Sequence, residues 1–461
     1  MTNPLKIMKH MFRLALLPAL LCLPAFFTHA DALGQAPEAP PNIIVLFADD
    51  LGYGDLSSYG NPTIRTPQLD RMADEGIRLT SFYVTAAVCT PSRGGLLTGR
   101  YPIRHLPHNL GPDSKNGLPL EETLIGEPLQ EHGYRTMMVG KWHLGHAENA
   151  YMPVSRGFDH YYGLRYSNDM IRPWVQTDVP LYLFRDLEPI REPLNQDTLT
   201  VTYTKEAIRF IEEAGPEPFF LYLAYGMPHV PVYAAPHRDG RSRKGRYGDV
   251  IETIDWSVGE ILATLRAQGL DKRTLVIFTS DNGPWQAMPD RMFQTDMMPL
   301  HEPVKPWHSG SAGPLRGYKG TTFEGGFRVP FIARWPGRIP AGRVSADMLA
   351  SLDIFPTLLD AAGIAAPDNL DGNSALPFLT TRAVSSPREV FYYYLGARIE
   401  GVREGPWKLR IPGLPEGATG EPALYHLDED PEEKYDRADM YPDLVARLQA
   451  AMEAFDAEAR R

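Results

Sequence analysis

The amino-acid sequence predicts an α/β protein in which helices cover both faces of a large, mainly parallel or mixed central sheet. Predicted strands alternate with predicted helices as far as residue 373, and the strands are apolar runs with no polar face. The 461 residues are 43% hydrophobic and 22% charged, which suits a large core. After Asn373 the pattern changes to short strands and one amphipathic helix. We therefore predict a main domain at 42–373 and a smaller α+β domain at 374–461.

Hydrophobic periodicity, together with glycine and proline at the ends of elements, locates the individual helices and strands. Apolar runs predict strands at 42–47, 79–84, 136–139, 219–224 and 275–278, and shorter ones at 390–395 and 407–411. Helical spacing predicts a helix from Thr66-Pro67, with Thr66 as its N-cap, to Gly76, and others at 120–132, 198–214, 249–267 and 441–458. Polar residues directly follow several strands, which is where open α/β sheets place their active sites.

The N-terminus is typical of a targeting segment. Basic residues precede an apolar run at 14–27, and small residues follow it. This order predicts a signal peptide at 1–30 and a flexible leader at 31–41, and hence a periplasmic or secreted protein. The apolar run is short and contains two prolines, so we expect no stable membrane anchor. An uncleaved anchor is the alternative.

Charge and cysteine content narrow the function classes. The formal net charge is −11, and loss of residues 1–30 would make it more negative, which argues against nucleic-acid binding. Any anionic substrate then requires a local basic cluster. Of the two cysteines, Cys22 leaves with the signal peptide and Cys89 remains. A lone exported thiol cannot form an internal disulfide, so it is either inert and buried or kept for chemistry.

Two acidic pairs suggest a metal site. Asp49 and Asp50 follow the first predicted strand, and Asp281 and Asn282 follow the strand at 275–278. Adjacent carboxylates repel one another unless a cation lies between them. Oxygen ligands without thiol or imidazole favour Ca²⁺ or Mg²⁺ over zinc. A solvated loop is the competing interpretation for each pair taken alone.

The segment from Cys89 to Arg100, CTPSRGGLLTGR, is the most specific feature of the chain. Pro91 is suited to open a helix at Ser92, which would place residue 89 near the positive end of that helix. Such a position lowers the pKa of a thiol or favours a bound anion. From these residues alone a cysteine nucleophile remains open.

The pattern Cys-x-Pro-Ser-Arg followed by Leu-Leu-Thr-Gly-Arg resembles the type I, formylglycine-dependent sulfatases of the alkaline phosphatase superfamily. In style the sequence is closest to arylsulfatase A and N-acetylgalactosamine-6-sulfatase. Further blocks of the family pattern occur in order at 41–55, 140–145, 228–229, 280–283, 319–326 and 425–432. The resemblance therefore covers nearly the whole mature chain and implies an alkaline phosphatase-like fold.

The resemblance also implies a mechanism. Cys89 would be oxidised to formylglycine by a separate maturation enzyme, and its hydrate would cleave a sulfate ester through a covalent sulfo-enzyme intermediate. The substrate would be a sulfated carbohydrate or an aryl sulfate. Ca²⁺ or Mg²⁺ would be bound by Asp49, Asp50, Asp281, Asn282 and an oxygen of residue 89. Arg93, Lys141 and His143 would hold the modified residue, and Lys141, His229 and Lys319 would bind the sulfate.

The sequence leaves several alternatives open. A phosphate monoesterase or diesterase, or a phosphonate hydrolase of the same superfamily, is the main enzymatic alternative, and a silent binder of sulfated glycans is the other. The stretch at 284–318 looks like an insertion between two site blocks, and we expect it either to shape the substrate pocket or to pack on the surface. The sequence alone does not determine the substrate, the position of the sulfate, endo or exo action, or the oligomeric state.

Overall fold

The structure, a computed structural model, describes residues 39–191, 194–294, 303–413 and 420–461. The predicted signal peptide and residues 31–38 of the leader lie outside the described residues, as do residues 295–302 of the predicted insertion. Within the described ranges, no helix has the length and apolarity needed to cross a membrane.

The main sheet contains eleven strands among the described residues. They are β1 (Asn42–Ala48), β2 (Ile77–Tyr83), β3 (Arg135–Lys141), β4 (His160–Leu164), β5 (Leu183–Arg185), β6 (Glu188–Arg191), β7 (Phe219–Ala224), β8 (Thr274–Ser280), β9 (Arg328–Arg334), β10 (Arg343–Ser345) and β11 (Leu349–Ala350). Their order is β10-β2-β9-β8-β1-β7-β3-β4-β5-β6, and β11 pairs with β2. The centre, β8-β1-β7-β3-β4, is wholly parallel, whereas β9 is antiparallel to both of its neighbours. The predicted mainly parallel or mixed sheet is confirmed.

Helices cover both faces of this sheet. The helices among the described residues are α1 (Pro67–Asp74), α2 (Cys89–Thr98), α3 (Gly126–Glu131), α4 (Leu199–Glu212), α5 (Arg246–Ala267), α6 (Glu324–Phe327), α7 (Ile354–Ala362), α8 (Leu376–Thr380) and α9 (Pro442–Ala459). All seven residues of β1 are buried, because Ile44 and Leu46 pack in the cluster under α4 and α5 while Val45 and Phe47 pack in the cluster under α2, α3 and α7. This two-sided burial explains why the strand is continuously apolar.

The helix predicted at 120–132 is wrong in its first half, because α3 begins only at Gly126. The preceding backbone makes tertiary hydrogen bonds instead of helical ones. The Ile125 amide donates to the Leu97 carbonyl of α2 at 2.9 Å, and Arg156 donates to the Glu122 carbonyl at 2.6 Å. These bonds satisfy polar groups that a helix would otherwise have paired locally.

Helix α1 begins after Thr66 as predicted, but the hydroxyl of Thr66 does not cap it. The amides of Gln68 and Leu69 donate to Asp255 Oδ1 of α5, both at 2.9 Å. The hydroxyl of Thr66 instead lies 2.7 Å from that of Ser57. A carboxylate from a distant helix therefore supplies the cap, which no local pattern could indicate.

The C-terminal region forms a second, antiparallel sheet in the order β12 (Val390–Leu395), β13 (Arg398–Glu404), β14 (Trp407–Arg410) and β15 (Ala423–His426). Helix α9 packs on it through Leu448 and Met452. On the side of the main sheet, Phe391 and Tyr393 pack with Tyr83 and Phe327. The predicted α+β character is confirmed, and the boundary at residue 373 stays a prediction.

Candidate active site

The candidate site lies where two adjacent parallel strands end. Strands β1 and β8 pair in register from Asn42 with Thr274 to Ala48 with Ser280, so the residues that follow them meet. The Asp50 amide donates to Asp281 Oδ1 at 3.0 Å, and Asn282 Nδ2 donates to Asp50 Oδ1 at 2.7 Å. Asp49, Asp50, Asp281 and Asn282 are all at most 3% exposed. The two pairs are therefore one buried cluster and not solvated loops.

Two candidate site residues that follow strands of the main sheet have left-handed backbone. Asp50 after β1 has φ of 65° and His143 after β3 has φ of 64°. This region disfavours residues with a Cβ, and such strain is concentrated at functional sites.

Residue 89 lies at the start of α2 and faces this cluster. The helix begins at Cys89 itself and not at Ser92 as the proline suggested, and all ten of its residues are buried. Cys89 Sγ lies 3.7 Å from Asp49 Oδ1 and 3.5 Å from Lys319 Nζ. Arg93 is one turn further on, so its side chain falls on the same side of the helix as residue 89.

The expectation of a lowered thiol pKa is wrong. Burial raises the pKa of the Cys89 thiol to about 12, although Lys141 and Lys319 favour the thiolate. Cys89 is only 2% exposed, so loss of water outweighs the nearby positive charges and the helix end. The thiolate is the reactive form of cysteine, so the unmodified residue is poorly suited to act as a nucleophile.

Three buried cations neutralise the carboxylates. Arg93 Nη2 lies 2.7 Å from Asp281 Oδ2 and 3.3 Å from Asp49 Oδ1. Lys141 Nζ lies 2.8 Å from Asp49 Oδ2. Lys319 Nζ lies 2.8 and 2.9 Å from the two oxygens of Asp50. Isolated buried charges are costly, so these pairs explain how so many ionisable groups coexist in a dry site.

The pKa values in this cluster diverge. Burial by itself raises the pKa of Asp49, but Lys141, His229 and Arg93 together hold it well below its ordinary value. Burial and the neighbouring charge of Asp49 raise the pKa of Asp281. Carboxylates that share one site are expected to separate in this way, because their like charges oppose simultaneous ionisation.

His229 follows β7 and presents one nitrogen to the site. Its Nδ1 lies 2.7 Å from the Val230 carbonyl and therefore donates to it, which leaves Nε2 as the acceptor of the neutral ring. Burial and then Lys319 lower the pKa of His229, and Nε2 lies 3.6 Å from Asp50 Oδ2. This nitrogen can accept or return a proton at the edge of the carboxylate cluster.

The sequence analysis missed Ser167. Its hydroxyl accepts a hydrogen bond from Lys141 Nζ at 3.2 Å and lies 3.4 Å from His229 Nε2, so it connects two of the predicted residues. Ser167 is 1% exposed and follows β4, a strand that the sequence analysis did not predict. Had β4 been recognised, its carboxyl end would have pointed to this serine.

His143 contacts the loop beside α2. Its Nε2 lies 2.9 Å from the Leu110 carbonyl, and burial followed by Lys141 lowers its pKa well below the ordinary value. Nδ1 is buried and has no hydrogen-bond partner among the described residues. The ring is therefore neutral and retains one acceptor nitrogen. The structure ties His143 to the loop rather than directly to the carboxylates.

The buried cluster is compatible with a bound metal ion. Ligand atoms of Asp49, Asp50, Cys89 and His229 all lie within 4.8 Å of one another. Asn282 Oδ1 is buried without a hydrogen-bond partner among the described residues, and such an orphaned oxygen is costly unless something binds it. Carboxylate and amide oxygens are the ligands that Ca²⁺ and Mg²⁺ prefer.

Comparison with known proteins identifies the family. The family model named Sulfatase matches residues 41–364, and the model named N-sulphoglucosamine sulphohydrolase, C-terminal, matches residues 318–458. Arylsulfatase A of Bos taurus is 36% identical over 472 residues, covering 93% of this chain and 89% of its own. N-acetylgalactosamine-6-sulfatase of Canis lupus familiaris is 38% identical over 458 residues, with 88% and 83% covered. The PsFucS1 sulfatase from Pseudoalteromonas sp. has a TM-score of 0.77 at 31% identity, with 91% and 90% covered. The chain therefore belongs to the sulfatase family of enzymes.

Proposed function

We propose that this sulfatase hydrolyses the sulfate ester of a sulfated carbohydrate or an aryl sulfate through a formylglycine formed from Cys89, with Ca²⁺ or Mg²⁺ in the site. The observation that carries the proposal is the position of residue 89. It lies at the start of a buried helix, within 3.5 to 3.7 Å of Lys319 and Asp49. The relatives support both substrate classes, because one is named an arylsulfatase and another is named for a sulfated amino sugar.

Asp49, Asp50, Asp281 and Asn282 would hold the cation together with an oxygen of residue 89. When bound, the cation would neutralise negative charge on the transferred group. Arg93 keeps the carboxylates oriented through its bonds to Asp281 and Asp49. Because these groups are held by buried ion pairs, little reorganisation is needed when charge develops.

A modified residue 89 fits the site better than a thiol. Burial raises the pKa of the thiol to about 12, which disfavours a cysteine nucleophile near neutral pH. A hydrated aldehyde there would supply two hydroxyls on one carbon, one to attack sulfur and displace the alcohol and one to lose its proton and release sulfate. In this proposal the acceptor nitrogen of His143 and the ammonium groups of Lys141 and Lys319 would hold these oxygens.

His229 and Lys319 would act on the sulfate and on the leaving oxygen. His229 Nε2 is unprotonated when the ring is neutral, and it lies next to the ammonium group of Lys319 and the hydroxyl of Ser167. Lys319 is well placed to stabilise negative charge, and the histidine is suited to carry a proton to the alcohol or from water. Lys141 Nζ donates a hydrogen bond to the Ser167 hydroxyl at 3.2 Å.

The proposal includes export and maturation. Residues 1–30 would direct the chain to the periplasm or outside the cell, and a formylglycine-generating enzyme would convert Cys89. Because Cys89 is 2% exposed in the folded protein, conversion should precede folding.

The test combines mass spectrometry with a substrate comparison. In protein from the natural host, the tryptic peptide from Leu79 to Arg93 should be lighter than its cysteine form and should react with an aldehyde reagent. The same protein should hydrolyse 4-nitrophenyl sulfate in clear preference to 4-nitrophenyl phosphate. Cys89→Ser, which lacks the second hydroxyl, should give at most one turnover. An unmodified cysteine in fully active protein, or a preference for phosphate, would overturn the proposal.

A further inference from the structure

The indole of Trp285 lies against the two residues assigned to the leaving oxygen. Lys319 Nζ is 4.6 Å from the centre of its ring, and the imidazole of His229 is 5.3 Å away, tilted by 53°. Both distances are contact distances for cation–π and aromatic pairs. Trp285 comes directly after Asn282-Gly283-Pro284, so only a short segment separates it from the end of β8 and from the predicted metal ligands.

The backbone at Trp285 is held in place, but its side chain is only partly buried. Ser309 Oγ donates to the Trp285 carbonyl at 3.0 Å, and Gln286 Nε2 donates to the Gly310 carbonyl at 3.0 Å. The residues it contacts are much more enclosed, since His229 is 3% exposed and the side chain of Lys319 is 9% exposed. Trp285 therefore lies at the boundary between the anion site and solvent.

This boundary is where the alcohol part of a bound ester must extend. The sulfate end is expected among Lys141, His229 and Lys319, so the rest of the substrate leaves the site past the groups that face solvent. A partly buried indole offers a flat apolar surface, which suits the face of a pyranose or an arene. A flexible acyclic alcohol would cover little of it.

We infer that Trp285 forms a wall of the leaving-group pocket and selects sulfate esters whose esterified oxygen is carried on or next to a ring. The inference rests on the proposed function and makes it more specific. It assigns Trp285 a role in binding the alcohol portion of the substrate and none in the chemical step.

The experiment uses fully matured enzyme and compares Trp285→Ala and Trp285→Phe with the wild type. The substrate is 4-nitrophenyl sulfate, and inorganic sulfate serves as a competitive inhibitor that has no leaving group. We expect Trp285→Ala to raise KM about tenfold to a hundredfold, the range for loss of one good pocket contact, with kcat changed by less than about threefold. The inhibition constant of inorganic sulfate should stay within about twofold, and Trp285→Phe should restore most of the affinity.

Trp256 provides a matched control. It is a half-buried tryptophan on α5 with Arg238 5.3 Å from its ring centre and His237 at 6.3 Å, so its surroundings are chemically similar. Trp256→Ala should leave both KM and sulfate inhibition unchanged. Weakened sulfate inhibition in parallel with KM in Trp285→Ala would show that the indole only positions Lys319 and His229, and would overturn the inference. An unchanged KM would overturn it as well. Wild-type enzyme that hydrolyses no sulfate ester would overturn the proposed function itself.

Discussion

Lys408 allows a test of how the smaller sheet supports the active site, because its ammonium group is buried between two carboxylates. Lys408 Nζ lies 3.0 Å from Glu324 Oε1 and 2.8 Å from Glu433 Oε1, and all three side chains are fully buried. Glu433 also accepts a hydrogen bond from the Glu324 amide at 2.7 Å, at the start of α6. Helix α6 itself contacts the active-site loop, because the Gly283 amide donates to the Gly326 carbonyl of α6 at 3.0 Å.

Lys408→Met keeps a similar volume and removes the charge, so two buried carboxylates are left facing one another. Glu324 retains Arg328 and Arg403 as neighbouring cations. In the wild type, burial raises the pKa of Glu433 although Lys408 opposes this effect. The substitution removes Lys408 as its partner. Breaking a buried pair by removal of one member typically costs about 3–5 kcal/mol. We expect a loss of unfolding free energy in that range.

The assay is urea denaturation followed by tryptophan fluorescence at pH 7.5, with activity measured on the same samples. Lys434→Met is the control, because Lys434 forms an exposed pair with Glu432 and its loss should leave stability unchanged. Adding Glu433→Gln to Lys408→Met should recover part of the loss, since it removes the unpaired charge. A loss below about 1 kcal/mol in Lys408→Met, or no recovery in the double variant, would refute the reasoning.

Three further predictions concern the site and its surroundings. In the unmodified precursor, Cys89 should resist Ellman's reagent at pH 8 until the protein is unfolded, because the thiol is buried and its pKa is raised to about 12; rapid native-state labelling would contradict this. Burial raises the pKa of Asp55 to about 6, so the folded state keeps a proton that the unfolded chain loses from about pH 4, and the contribution of Asp55 to stability should fall by about 3 kcal/mol between pH 4 and 6. Asp55→Asn should make the decline in stability over this range shallower by that amount, and equal slopes in the two proteins would argue against it. Gly283→Ala would place a Cβ 1.8 Å from the Gly325 carbonyl oxygen and should therefore displace the neighbouring Asn282. We expect at least a tenfold loss of activity and of the thermal stabilisation by Ca²⁺. A fully active variant would exclude this.

Much of the fold was predictable because β-strands and long helices have local patterns. Strands β7 and β12 have the predicted limits, and α4, α5 and α9 differ by only a few residues at either end. Two errors fall where distant groups replace local hydrogen bonds, at the Asp255 cap of α1 and in the shortened α3. Other errors are strands that were not predicted at all, such as β9. Strand β4 is short and was not predicted, so Ser167, which follows it, was missed as well.

In the candidate site too, local sequence predicted some features and distant contacts decided others. Local sequence indicated Asp49, Asp50, Asp281 and Asn282 because each pair directly follows an apolar strand, and the motif around Cys89 indicated the family.

What the sequence by itself determined was the order of the elements, the family and the residue types of the site, since these depend on local pattern and motif. Only the tertiary structure decided the protonation preferences of the site and the contact of Trp285 with His229 and Lys319. The thiol of Cys89 shows the reason. A helix start predicts a lowered pKa, but complete burial raises it, and burial depends on residues from many distant segments packing together.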